Sequence, residues 1–493
     1  MESLAIALGM SSIMICLGMA IRSKVKAFKN LLIPVNVIAG ILGLIYMNVI
    51  NPNLFPDVGV SMYSDIVDVL FCFSFISIGL ASPAKKKDKN TGKEKKGSGM
   101  AKGATGMGLI WCILYALTAM VGVGIVAAIG GVFEMEAMYG ILIPFAFCQG
   151  PGQASTYGKM FEELYGYQNA EMVALTFAVL GFIIAFGIGV PAAKWGMKKN
   201  LTRTTAKVSS AVERGYFVPE EQRESMGKVT THSGNIDTLT IHVALMGITY
   251  VIALILAKII SFIPGLGESF AAILFMWGLT ASYIVKWAMR KLKIPYILNE
   301  TLQNKITGWS SDYLVVCAFM GIEVAVIGKW IVPILVAAVV AGFVTMIVCI
   351  YFGARLGSDH DFERILGMYG TCTGTTPSGV ALVRMIDPRL QTTTAAELAM
   401  MNLFMIFSTP SVLLITIVGL GTISLPVAVA GLGASILLYL ILLKVFRCWK
   451  KPSFNFKTGE RYNVEEDESM GEAGSFLQGM LSREVYDESG LVK

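Results

Sequence analysis

Charge is scarce in this chain. Asp, Glu, Lys and Arg make up 15% of its 493 residues, against 55% hydrophobic residues. An ordinary soluble domain carries roughly a quarter charged residues. Histidine is scarcer still, with only His232, His242 and His360, and their spacing fits no metal-ligand pattern. The eight cysteines (Cys16, Cys72, Cys112, Cys148, Cys317, Cys349, Cys372 and Cys448) stand singly, with no CxxC spacing. These gaps exclude a zinc framework and a disulfide scaffold, and the cysteines read as small apolar residues. The net charge of +6 is not read as a nucleic-acid signal. Lys and Arg sit in short loops between apolar blocks, where they set orientation in a bilayer. No basic residue precedes the first apolar block, and Arg22, Lys24, Lys26 and Lys29 follow it. That is the reverse of a signal peptide, and points to a retained first span with the N-terminus outside.

In place of charge there are long apolar blocks. Mean hydropathy is +0.65, and the blocks approach the ~20 residues needed to cross a hydrocarbon core. The fold class expected is an all-α polytopic membrane protein. Spans are expected near 3–21, 31–50, 65–83, 105–129, 169–193, 238–262, 268–286, 309–327, 330–352, 395–421 and 423–446. Two further apolar stretches, 137–165 and 363–390, are broken in the middle by Gly, Thr and Pro.

Charge placement tests this map. Basic loops occur at 22–29, 85–102, 194–207, 286–293 and 444–451. With the N-terminus outside, all of them fall on the cytoplasmic side if each broken stretch returns to its starting face as a re-entrant hairpin. Two ordinary spans, or one hairpin only, is the competing reading. On the hairpin reading the order of elements repeats: four spans, a hairpin and a fifth span occur twice. An odd number of spans turns the second copy upside down, and such inverted repeats with discontinuous helices are the plan of many secondary transporters. The expected division is a first repeat at 1–193, a cytoplasmic linker at 194–236, a second repeat at 237–421, an extra span at 422–447 and a cytoplasmic tail at 448–493, whose low apolar content and clustered acids suggest disorder.

The breaks carry the candidate chemistry. The first reads Cys148-Gln149-Gly150-Pro151-Gly152-Gln153-Ala154-Ser155-Thr156. Gly150 and Gly152 permit backbone angles closed to other residues, and Pro151 removes a donor. Backbone unwound at membrane depth must be buried or line a cavity. Its carbonyls can coordinate a cation and the amides of the next arm can hold an anion. Gln149, Gln153, Ser155 and Thr156 add neutral polar groups; a plain structural loop is the alternative. The second break, Gly370 to Gly379, holds Thr371, Thr373, Thr375, Thr376 and Ser378 around Gly374. Hydroxyls and carbonyls without a carboxylate pair suit a monovalent ion such as sodium better than calcium or magnesium. The expected ion site is backbone and hydroxyl oxygen near Gly150, Gly152, Thr375 and Thr376, and no cofactor beyond the coupling ion is expected. Arg384 ends the second hairpin, where it either pairs a substrate carboxylate or snorkels to water. Asp65, Asp68 and Glu323 lie near span ends and read as interfacial carboxylates.

At these hairpins the sequence resembles the bacterial sodium/glutamate symporter family. That family has Gly-Gly-His-Gly-Thr, a run of small residues, then Phe-Glu, a Gly and Asn-Ala. Here Gln149-Gly150-Pro151-Gly152-Gln153-Ala154-Ser155 stands in that place, followed by Phe161-Glu162, Gly166, Asn169-Ala170 and a span with Gly181. The second family motif, Gly-Ala-Thr-Pro-Thr-Ala, is similar to Gly374-Thr375-Thr376-Pro377-Ser378-Gly379. Ile78-Gly79-Leu80 and Phe319-Met320-Gly321 are similar too, and the likeness runs over roughly 1–420. Pro151 stands where the family has histidine and Gln153 where it has threonine. The resemblance implies a homodimer in the inner (plasma) membrane that imports glutamate or a related small carboxylate with sodium, by an elevator-like movement of the hairpin-bearing core. Another small polar solute, or proton coupling, is the alternative within transport. A membrane-embedded enzyme would need a catalytic base or metal set in the membrane plane, and a sensor would need an output domain larger than the polar tail; the sequence shows neither.

Overall fold

The computed structural model describes residues 2–30, 33–81, 98–203, 226–232, 234–264, 267–388, 390–456, 458, 460 and 462. The linker's 204–225, most of the basic loop 85–102 and the tail from 463 lie outside the described residues. The described chain is all-helical, with no strand. Helices α1 (Glu2–Lys24), α2 (Val35–Ile45), α3 (Val60–Ala81) and α4 (Ser98–Ile129) lead to the short α5 (Ile143–Phe147) and α6 (Pro151–Lys159), then α7 (Ala170–Lys198). There follow α8 (Thr238–Ser261), α9 (Leu274–Lys291), α10 (Glu300–Met320) and α11 (Ile331–Gly353). The short α12 (Asp361–Thr373), α13 (Thr376–Ile386) and α14 (Thr394–Met401) precede α15 (Thr409–Gly419) and α16 (Leu425–Val445).

Local chemistry accounts for several boundaries. Asp237 and Asn299 accept the backbone N–H of Leu239 (2.7 Å) and Leu302 (2.9 Å), capping α8 and α10 where helix geometry leaves donors unpaired. Basic residues close α1 (Arg22, Lys24), α7 (Lys198), α9 (Arg290, Lys291) and α16 (Lys444), opposite the negative end of each helix dipole.

Among the described residues, 8 helices are long and apolar enough to cross a membrane, or 9 if the bent pair Thr394–Met401 and Ile406–Gly419 is one span. The expected spans at 268–286 and 309–327 correspond instead to α9 and α10, which fall outside that set. The reason is compositional. Lys286, Arg290 and Lys291 crowd the end of α9, and α10 opens on Glu300-Thr-Leu-Gln-Asn-Lys305. The apolar half of α10, Leu314–Met320, is buried against protein.

Two packed bodies emerge. In one, α3 lies along α9 and α10, α2 along α1 and α10, and α8 along α9. In the other, α4 packs on α11, α14 and α16, while α7 packs on α5, α6, α11 and α12. Each body draws helices from both halves of the chain. They meet where α6 touches α3 and α10, where α7 touches α10, and where 160–164 touches 267–272.

Candidate functional site

The chain reverses at both breaks. After α5 it turns through Cys148 and Gln149 to Gly150, whose φ of 84° and ψ of −176° suit only glycine. Pro151 then occupies the first position of α6, where a missing N–H costs nothing. The arms lie side by side, with the Phe145 and Tyr157 rings stacked 3.7 Å apart. In the second break α12 ends at Thr373, Thr375 precedes the first turn of α13, and Pro377 again sits in that turn. Here the arms touch through backbone: a Cβ on Gly370 would lie 2.8 Å from Gly379 Cα.

The two turns meet. A Cβ on Gly150 would lie 2.6 Å from Thr375 Cγ2 and 3.2 Å from the Gly374 carbonyl oxygen. Cys148 Sγ is 3.9 Å from the Cys372 carbonyl. Gly181 of α7 seats the second turn, since a Cβ there would stand 2.4 Å from the Thr373 carbonyl. Two helix N-termini, of α6 and α13, therefore begin at one point, the first buried and the second part-exposed. The first amides of each lack intrahelical partners by geometry, which makes their surroundings electropositive.

Most of the expected site residues gather here. Gln149, Gly150, Gly152, Gln153, Gly374, Thr375, Thr376 and Ser378 lie within a turn of the meeting point. The Oε1 atoms of Gln149 and Gln153 are buried without a hydrogen-bond partner, and Gln153 is 6% exposed. A buried polar atom left unpaired costs about 1–3 kcal/mol, so such a pair marks a place suited to a ligand. The Thr375 and Ser378 hydroxyls are 3.4 Å apart, a weak mutual contact. Thr371 and Thr373 donate to their own helix, at Gly367 O (2.9 Å) and Tyr369 O (2.7 Å), leaving lone pairs to accept. Three expected residues lie elsewhere. Ser155 donates to Glu171 Oε1 at 2.6 Å, and Thr156 donates to Gly152 O at 3.0 Å. Arg384 is exposed on the last turn of α13, a helix length from the tips.

Sequence reasoning missed two charged clusters. Lys159, at the end of α6, reaches Asp65 (2.8 Å) and Asp68 (2.7 Å) on α3, so these two carboxylates form an inter-helix contact as well as marking a span end. Glu171 of α7 stands 3.9 Å from the same ammonium. A lone lysine in an otherwise neutral hairpin arm was the available signal. The second cluster fixes the base of α12. Arg364 donates to both Glu397 carboxylate oxygens from Nε and Nη2 (2.7 and 2.6 Å) and to Asp361 from Nη1 (2.9 Å). Thr393 Oγ1 donates to Glu397 Oε1 (2.9 Å) and contacts His360 Nε2 (2.9 Å). All of these side chains are buried. Its signal was a set of ionisable residues inside an apolar stretch.

Comparison with known proteins places the chain among transporters. The family described as sodium/glutamate symporter matches residues 2–391. Two relatives, each described as "Sodium/glutamate symporter", come from Escherichia coli (strain K12) and Shigella flexneri. Each is 22% identical over 385 residues, which is 77% of this chain and 88% of the relative.

Proposed function

This chain belongs to the sodium/glutamate symporter family, a family of transporters rather than enzymes, and on that premise we propose that it imports glutamate or a related small carboxylate together with sodium across the cell membrane. The observation that carries the reading is the tip-to-tip meeting of the two breaks. It supplies what a cation and a carboxylate need in one place. The amides opening α6 and α13 face an anion, while the Gln149, Gln153, Thr375 and Ser378 oxygens and freed carbonyls suit a small cation. Buried amide oxygens without partners in the unliganded protein are the expected complement of an ion that is bound and released.

In this reading the two breaks are re-entrant hairpins of inverted five-span repeats, entering from opposite faces, and α16 is the extra span. The N-terminus is outside and the C-terminus cytoplasmic, in keeping with the basic ends of α1, α7, α9 and α16. The body holding α4–α7 and α11–α16 carries the site, and the body of α1–α3 and α8–α10 is the scaffold through which a homodimer forms. Transport is an elevator-like displacement of the first against the second. Support for this division comes from the way each body is assembled from matching parts of the two chain halves.

One observation favours a variant of the substrate. Arg384 lies away from the tips, so helix ends and two glutamines, rather than a guanidinium, are what a ligand would meet there. A solute with a single carboxylate and a neutral side chain fits that set as well as glutamate does. Uptake into proteoliposomes under an inward sodium gradient, across labelled amino acids and dicarboxylates, separates the cases. Sodium-dependent accumulation of glutamate is expected; uptake of every solute indifferent to sodium would sink the proposal.

A further inference from the structure

Where the two bodies touch, a cavity of about 460 Å³ opens. It is lined by Asp68, Thr156, Lys159, Glu163, Tyr250 and Glu268 among others. Phe71 is also on its wall: it packs on Phe75 (5.0 Å) and Phe275 (4.8 Å), and a Cβ on Gly152 would strike its ring at 2.1 Å. Lys159 is on the wall, and its partners come from both bodies. Asp65 and Asp68, at 2.8 and 2.7 Å, belong to α3 of the scaffold. Glu171, at 3.9 Å, is on α7, in the same body as Lys159, and its Oε1 is held by Ser155 Oγ at 2.6 Å.

This placement matters if the bodies slide, as the transport reading requires and on which this inference rests. Parting α6 from α3 tears Lys159 from Asp65 and Asp68. A part-buried ammonium left with no partner is strongly unfavourable, and would lock the protein in one state. Glu171 removes that obstacle. A contraction of about 1 Å brings it to charge-assisted hydrogen-bonding distance, and it travels with the lysine. We propose that Lys159 is a positioning residue of the transport cycle that exchanges Asp65 and Asp68 for Glu171 as the bodies part, and returns to them on reclosing. Ser155 keeps Glu171 turned toward the exchange without saturating it, because a carboxylate oxygen accepts more than one hydrogen bond. The ammonium is thus paired at both ends of the movement, and the carboxylates it leaves, Asp65 at 74% and Asp68 at 30% exposure, are the ones in this cluster that solvent reaches best.

The prediction concerns rate rather than affinity. Glu171→Gln keeps size and packing but removes the second partner, so separation strands the charge. Its maximal uptake rate should fall about tenfold or more, equal to ~1.4 kcal/mol, while KM moves less than about threefold. Adding Lys159→Gln removes the charge that would be stranded, so Lys159→Gln/Glu171→Gln should recover much of the lost rate. Asp65 is 74% exposed and its loss spares the fold, so Asp65→Asn/Glu171→Gln should also turn over faster than Glu171→Gln alone. A merely structural role for the cluster gives the opposite order, each added substitution slowing transport further. A transporting wild type with Glu171→Gln unimpaired, or with both double variants no faster than Glu171→Gln, would overturn the exchange alone. A wild type that moves no solute under any gradient would overturn the transport reading and the exchange with it.

Discussion

The two hairpins share a plan and differ in how they are held. In each, a helix ends, the chain turns through a glycine, and a proline opens the returning arm. The first hairpin is buried on both arms, and its returning arm α6 is tied to α3 by Lys159. In the second, α12 is buried throughout and fixed at its base by Arg364, while α13 exposes Pro377 and Arg384 along one face. Lys159 and Arg384 occupy corresponding places, nine and ten residues beyond Gly150 and Gly374. One is paired across the interface between bodies and the other is exposed. The contrast assigns different duties: a fully buried ion network builds a fixed element, whereas a half-exposed pair between bodies can be broken and remade.

The largest effect should come from the fixed element. Arg364→Met strands Asp361 and Glu397 in the interior and should cost about 3–5 kcal/mol, read as a large fall in melting temperature of the detergent-purified protein. Lys159→Met should cost less stability, because Asp65, one of its partners, is 74% exposed and solvent can replace the lysine there; equal losses would erase the distinction. Next comes the close approach of the second hairpin's arms. On Gly379 a Cβ would lie 2.3 Å from both Gly367 O and Thr371 Oγ1. Gly379→Val should therefore abolish sodium-driven uptake at a fold cost of about 1–3 kcal/mol, and normal uptake would mean the arms part freely. The smallest effect belongs to the exposed pair of Glu134 and Lys329. The Lys329 hydrogen bond holds the Glu134 carboxyl below its usual range. Its contribution is present above the unfolded carboxylate pKa of about 4.3 and lost as pH falls through the lower folded value. Glu134→Gln should leave both the melting temperature at neutral pH and uptake unchanged.

Much of the fold could be read from the chain because it is local. Apolar length placed most helices, and Gly150-Pro151 and Thr376-Pro377 marked both turns, since glycine and proline act on their own backbone. Relations between distant segments were not legible. Lys159 and Asp65 are 94 residues apart, and no periodicity links them. α10 read as a lipid-crossing span centred too far along the chain, because its polar first half is tolerated only through packing against α3 and α2. Among the site residues, Gln149 and Gln153 stood out by chemistry, but their lack of partners is a property of the packed interior. The bond from the Ser155 hydroxyl to Glu171, sixteen residues on, was equally invisible in the sequence.

The claim at the centre is that ion and solute bind where the tips meet. Gln153→Met tests it most directly, because it replaces an unpaired buried amide with an apolar chain of similar length. Sodium-dependent glutamate binding to purified wild-type and variant protein would be followed by calorimetry, with melting temperature measured alongside. The expected result is a loss of sodium or solute affinity of about tenfold, while the unliganded protein melts no lower than wild type, or higher, since a group costing about 1–3 kcal/mol has been removed. Unchanged affinity for both ligands would contradict the account and place the site elsewhere.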